Sequence, residues 1–467
     1  MTRFASARAV LAIALIAAAA AAPAAAQSVR VHSTTTVRYV QLRPIRYDAD
    51  SGRYVPQAVQ SAAPAVQDLE VNVWGLGVAG LRGYGLLRLR GSLGSDLVWP
   101  RYGDHFDALA LYLEYERADY RLRLGRQHKA SALGWYGYDG LSAAWRVLPR
   151  LRVEGYAGRG LARGYLEPVN SSTLQSLDAF GPDKGSLLVG ASVWAAPTRA
   201  STVSAIYQRE VLSDWSGLVS ERAALDASLA LGSSLLLDGS TDVDIGAGEW
   251  GKARIGALYR LGRRGSLRGE LFRYRPTLDL TTIWGVFSPE SHWGYAATAR
   301  YTPSRDASLW AGYTRRVYRP AEAPNPLATA LPDRAQEIAL GAQLGMGDFR
   351  LEGSYRAQLD FGGAQSGGDV SLSRAPLGGW RVGVRATAFQ REGEFRVSDG
   401  TVYGIGATAR GRVAGRFDLR ADLMRLFHRR QERVPAGQTG LDWSQTRGSV
   451  AIEWTFGSNA DRQGAYR

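Results

Sequence analysis

The chain of 467 residues has no cysteine, only three lysines and five histidines, and no long apolar run once residue 26 is passed. Each shortage excludes something. Without thiols there is no disulfide framework, no lipid-modified N-terminal cysteine and no covalent c-type haem, whose attachment motif needs two of them. The ~18 consecutive apolar residues of a membrane-spanning helix are missing from the mature chain. Helical periodicity is weak throughout, and no capped helix of ordinary length stands out. Zero cysteines and no closely spaced histidine pair leave little to hold a transition metal. Asp238, Asp242 and Asp244 are read as a solvated external loop rather than a cation site. The glycines do not sit in the strand-turn-helix setting of a nucleotide site, so no cofactor is expected. Among His32, His105, His128, His292 and His428, one has a carboxylate beside it, Asp104 next to His105. Neighbours on a strand face opposite ways, so catalysis of the Ser–His or Asp–His kind is not expected.

What is present starts at the N-terminus. Arg3 and Arg8 precede an apolar run from Ala9 to Ala22, and Ala24-Ala25-Ala26 closes it. That is the layout of a secretory signal peptide cleaved after Ala26, leaving residues 27–467 as a single exported domain. The formal charge of +14 is carried by arginine, and an exported location makes nucleic acid an unexpected partner.

Beyond about residue 68 one unit recurs without a linker: a strand pattern, a tight turn, a second strand pattern, a longer polar stretch. The units fall near 68–93, 107–129, 140–161, 185–210, 220–244, 251–276, 291–318, 334–359, 368–390 and 400–429, with a last strand near 445–456. In 107–116, Leu109, Leu111, Leu113 and Tyr115 share one face, with Tyr112, Glu114 and Glu116 opposite. Tyr120, Leu122 and Leu124 then continue the first face and Asp119, Arg121 and Arg123 the second. A two-residue turn at Arg117-Ala118 would set Leu113 against Leu122, Tyr115 against Tyr120 and Glu114 against Arg121. By the same logic a turn at Met346-Gly347 sets Gln343 against Arg350 and Glu337 against Arg356. A three-residue turn further on sets Arg410 against Asp418. Two soluble sheets would rarely sustain so many long hairpins in one domain. Lipid demands that every backbone group be paired, which strands achieve only in a closed barrel. The expected fold is therefore all-β, a transmembrane antiparallel up-and-down β-barrel. If Val29 to Val40 is the first strand, the total is 22 strands within a range of 18–24. The first external loop would then be 43–67, and the next long ones 162–184, 277–290 and 319–333.

The hairpin series, the final strand with Val450, Ile452, Trp454 and Phe456, and the signal peptide together resemble bacterial outer-membrane barrels of the porin-like superfamily. The pair GRQ (125–127) and YDGL (138–141) is similar to a hairpin recurring in porin-like and polysaccharide-exporting barrels. The chain departs from the pattern in its last residues, where Phe456 is followed by GSNADRQGAYR rather than ending the chain, and it has no separate N-terminal plug segment. The resemblance implies an outer-membrane channel, not an enzyme, in contact with lipid and lipopolysaccharide and inserted by the barrel-assembly machinery. Its cargo would be small hydrophilic solutes, with anion preference if arginines ring the pore. The pore-lining candidates are Glu114, Arg121, Arg123, Glu337, Arg350, Arg356, Arg410, Arg412, Arg416, Asp418, Arg420 and Asp422. The alternative for these residues is a lattice of ion pairs that holds strands in register. Two other functions stand beside the channel. One is a sheath around a periplasmic or multihaem cytochrome partner, since 22 strands without a filling would leave a wide hole. The other is an outer-membrane hydrolase.

Overall fold

A computed structural model describes residues 28–42, 45–48, 50, 52–93, 106–163, 186–213, 217–275, 291–318, 333–360, 365–394, 398–413, 417–431 and 443–457. The expected signal peptide lies outside them. Twenty-two antiparallel strands form one closed barrel. Neighbours in sequence are neighbours in the sheet, and the ring is sealed where the first strand, Ser28–Leu42, pairs on one side with Pro64–Trp74 and on the other with the last, Trp443–Gly457. The seam runs in register from Arg30 opposite Gly457 to Val40 opposite Arg447. Closure leaves no free edge of unpaired N–H and C=O groups in the hydrocarbon, the requirement that selects barrels there. At ~4.8 Å per strand and a tilt of 35–45°, such a ring is roughly 45 Å across.

Period-two alternation decides which way each side chain points. Leu111, Leu113, Leu122 and Leu124 stand exposed on the outer wall with Ile255, Leu271, Val384, Ile405 and Leu423. Their even-numbered or odd-numbered neighbours face inward and are polar: Glu114, Gln208, Arg222, Ser240 and Asp242 are all buried. A sheet that exposes its leucines and buries its carboxylates is inverted relative to a soluble protein, and lipid outside with water and paired charge inside accounts for it.

Three hairpins depart from expectation in the same way. Glu114 faces Arg123, not Arg121, because the turn is Ala118-Asp119 and Arg117 donates its N–H to the Tyr120 carbonyl at 2.9 Å. Glu337 faces Gln358 and Gln343 faces Glu352, with Gly347 at φ +60° in the turn. Arg410 faces Arg420, and Arg412 faces Asp418. Every shift is two residues. Alternation fixes only which face a residue occupies, so a slip of two leaves the faces intact and changes the partners. The diagonal contacts survive: Tyr115 and Tyr120 lie 5.9 Å apart, Arg350 donates to Gln343 at 2.7 Å, and Arg356 reaches Glu337 at 2.8 Å.

Other departures are local. Leu109 is buried rather than outward, at a bulge where Leu86 pairs with Ala110 and Leu87 with Ala108. The second barrel strand starts at Pro64, a residue that tolerates the first position of a strand because it has no N–H to lose, and the stretch before it carries a small hairpin of Ile45–Asp48 and Arg53–Pro56. Asp238, Asp242 and Asp244 lie within strand Leu235–Asp244, not in a loop. Residues 164–185, 276–290 and 319–332, which hold most of the expected long loops, are outside the described residues.

Candidate functional site: a hairpin folded into the lumen

Several connections at the long-loop end are short, and one is the shortest of them. Strands Tyr120–Ser131 and Gly134–Leu148 are joined by Ala132-Leu133 alone, at the end of the barrel where long connections were expected. This hairpin parts from the wall on one side only: pairing with Phe106–Glu116 ends at Arg126, while Tyr136 still faces Arg163 on the other side. The Leu133 carbonyl accepts from Arg222 Nη1 at 3.1 Å, and the Tyr136 hydroxyl accepts from the same nitrogen at 2.9 Å. Arg222 belongs to Leu218–Leu231, four strands along the ring from Gly134–Leu148, or ~19 Å of wall. The tip reaches it only by crossing the lumen side of the strands between.

The bend has a visible cause in the sequence. Gly125, Gly140 and Gly158 sit side by side on three neighbouring strands. Gly125 holds φ +130°, and a Cβ there would run into the Leu111 carbonyl. Side chains on Gly140 and Gly158 would each run into the other strand's backbone. A row without Cβ atoms lets the sheet crease where any other residue would clash. Just past the crease, Arg126 and Asp139 are opposite each other and joined by two bonds of 2.8 and 2.9 Å, while Arg126 Nη1 also donates to the Ala108 carbonyl at 3.0 Å. On the underside Gln127 is fully buried, donating to the Gly140 carbonyl at 3.0 Å and accepting from Ser142 Oγ at 2.8 Å. GRQ and YDGL are therefore the two halves of one crease, paired residue against residue.

Beyond it the arm lies flat on the inner wall. Leu133, Tyr136, Tyr138, Tyr156, Leu188, Ile206 and Ala224 form the buried apolar cluster, an unusual feature for a wet lumen. Tyr138 and Tyr156 rings lie 5.5 Å apart, and the Tyr156 hydroxyl donates to Gln208 at 2.9 Å. Tyr156 covers Gly190, where a Cβ would strike the ring. Lys129 anchors the arm's middle, 2.8 Å from Glu154 and 3.1 Å from Ser192 Oγ. Asp242 pairs with Arg222 and so orients the guanidinium that holds the tip. Sequence reasoning isolated the motif but not the fold-over, since its tip residues, Ala132 and Leu133, carry no charge to announce an inward position. The paired glycines were the available signal.

The twelve pore-lining candidates do not meet at one point. Glu114 is fully buried between Arg82 and Arg123, with Arg123 Nε at 2.5 Å and the Arg123 guanidinium also over the Tyr112 ring. Arg121 is on the same face two residues earlier. Glu337 receives Arg316 at 3.2 Å and Arg356 at 2.8 Å. Arg350 binds Glu352 at 2.5 Å. On the far side of the ring Arg420 lies 3.1 Å from Glu453, Arg412 is 3.8 Å from Asp418, and Asp422 accepts from Ser449. Arg416 is outside the described residues. Carboxylates thus neutralise most of these arginines in pairs spread around the ring. A denser unit was missed: Asp238 and Glu270 between Arg254 and Arg268, all four within 3.0 Å of a partner.

The histidines have contacts of other kinds. His32 bridges the seam, Nδ1 at 2.9 Å from Thr455 Oγ1 and Nε2 at 3.7 Å from Glu453. His128 stacks on Trp135, and His292 sits among Phe272, Tyr274 and Tyr318. His105 lies outside the described residues. Among the described residues no cluster of three metal-ligating side chains occurs.

No protein-family model matches the chain, and no curated protein matches it in sequence. Solved structures do match. The siderophore receptor PirA from Pseudomonas aeruginosa is 12% identical over 91% of this chain and 80% of its own, with a TM-score of 0.52. The ferric citrate transporter FecA is 13% identical over 93% and 79%, with a TM-score of 0.50. OpdQ of Pseudomonas aeruginosa covers 92% of this chain at 8% identity and a TM-score of 0.41, a likeness too loose to carry an argument. The fold is that of Gram-negative outer-membrane β-barrels, and the chain is an outer-membrane barrel of 22 strands.

Proposed function

We propose that this barrel is a channel for passive diffusion of small hydrophilic solutes, with a modest preference for anions. The observation that carries the reading is the arm of residues 126–139, folded inward and fastened by Arg222 to the opposite end of a five-strand sector. A wide ring needs internal structure to become a selective pore, and a fastened arm supplies part of it. The sheath alternative calls for an inner wall bare enough to receive a folded partner, and the arm occupies part of that wall. The charge lattice supports a mild selectivity only, because arginines already matched by Glu114, Glu337, Asp238 and Glu270 present little net field.

Single-channel conductance of the refolded protein in planar bilayers, with reversal potentials in a salt gradient, tests this. Steady openings with a reversal potential on the anion side are expected. A correctly refolded barrel that passes no current, or only erratic giant currents, would replace the channel with a ring built for a partner.

A further inference from the structure

Under the folded arm, toward the end of the barrel that holds the tight turns, is a cavity of about 510 Å³. Its lining includes Lys129 and Ser131 of the arm above and Arg146, Arg152, Trp194, Ser204 and Asp226 of the wall. The register arranges the wall residues in one line. Arg152 is opposite Trp194, Trp194 opposite Ser204, and Ser204 opposite Asp226, on four consecutive strands. All four share the inward parity of the buried Tyr156, Leu188, Ile206 and Ala224. Arg146 extends the line at its basic end, directly opposite Arg152.

Both ends of this line carry charge that makes no close ion pair among the described residues. Two arginines directly opposite each other repel, and a bound anion would relieve them. Arg146 and Arg152 make no ion pair with any described carboxylate, while Lys129 above already has Glu154. At the other end Asp226 makes no hydrogen bond or close ion pair among the described residues, and the cations nearest to it are Lys252 and Arg254, two strands along the wall. Arg254, the next cation along that line beyond Ser240, is engaged by Asp238 and Glu270. Between the two ends lie an indole and a hydroxyl.

We propose that this cavity binds a zwitterionic solute of dipeptide size, carboxylate toward Arg152 and Arg146, ammonium toward Asp226, and an aromatic side chain on Trp194. Spacing selects the size. Three strand intervals put the Arg152 and Asp226 backbones ~14 Å apart, and the reach of a long arginine side chain toward a solute takes up several of those ångströms. A single α-amino acid separates its charges by only ~2.5 Å, whereas two residues span ~7 Å. The volume lies within the ordinary range for a small-molecule site, and Trp194 offers a flat apolar face for a ring. The inference rests on the channel reading and narrows it to a class of solute.

Calorimetry of the detergent-solubilised full chain with glycyl-L-phenylalanine tests the site independently of ion flow. Binding is expected for the dipeptide and weakened about tenfold or more for its N-acetyl form and for its C-terminal amide, each of which lacks one charge. Asp226→Asn should reproduce the loss caused by acetylation and Arg152→Gln the loss caused by amidation, with barrel folding checked by heat-modifiable gel mobility. No heat of binding, or equal binding of all three compounds, would overturn the zwitterion site. Tight binding of the acetylated form that Asp226→Asn leaves unchanged would reduce it to an anion site and equally overturn it. Conductance recorded on the same preparation separates the outcomes: current without dipeptide binding sinks the site and keeps the channel, and absence of current sinks the channel.

Discussion

At the scale of the residue, the wall shows that an ion pair's worth depends on how much water reaches it. Glu114 has no exposed surface and two arginines on it, whereas Glu352 and Arg350 are each nearly half exposed. Removing one partner of a buried pair strands the others without solvent, at a cost of about 3 kcal/mol, while an exposed pair contributes under about 1 kcal/mol. Glu114→Gln should therefore lower stability by about 3 kcal/mol in urea titrations of the vesicle-refolded barrel, with Arg350→Gln within about 1 kcal/mol of the parent. Equal effects would mean that water reaches Glu114 as freely as Glu352. The inward position of Glu114 was legible in the sequence, because alternation with Leu113 and Tyr115 leaves no other face for it. Its burial was not legible, since Arg82 comes from the preceding strand and nothing local to Glu114 announces that neighbour.

At the scale of the element, the creased hairpin depends on two separate things, room to bend and a fastening at the tip. Gly140→Val fills the crease against the Ala157 carbonyl and should force the arm toward a straight continuation of the wall. Arg222→Gln leaves the crease intact but removes the donor shared by Leu133 and Tyr136. Single-channel recordings should show larger conductance for the first variant and, for the second, conductance that fluctuates between the parent level and a larger one. Unchanged currents in both would mean that the arm does not limit flow. Strand identity and facing were readable here because lipid outside and charge inside impose a strict period of two. The register was not, because that period is satisfied equally by any slip of two, and the deciding feature is which residues fit the turn: Ala118-Asp119 rather than Arg117-Ala118, Gly347-Asp348 rather than Met346-Gly347. The fold-over of the arm escaped for a different reason, since contacts such as Arg222 to Leu133 join residues 89 apart that no local pattern connects.

At the scale of the whole molecule, the ring stands or falls on its seam. Thr36 is directly opposite Ala451 there, and in a chain without native thiols a Thr36→Cys, Ala451→Cys pair has no competitor for oxidation. Mild oxidation of the refolded barrel should give a cross-linked form that, after heat denaturation, migrates as a ring rather than a line and reverts on reduction. Failure to cross-link in folded protein would mean that another pair of strands closes the ring. The seam joins partners as far apart as His32 and Thr455, 423 positions along the chain, and bringing such distant ends together costs about 5 kcal/mol of loop entropy before any contact is made. Time enters through that distance. The strand made first must wait for the strand made last, so until the seam forms the growing sheet carries two unpaired borders that would pair with any neighbour. A chain that stops short of Trp443–Gly457 leaves not a smaller pore but an open sheet.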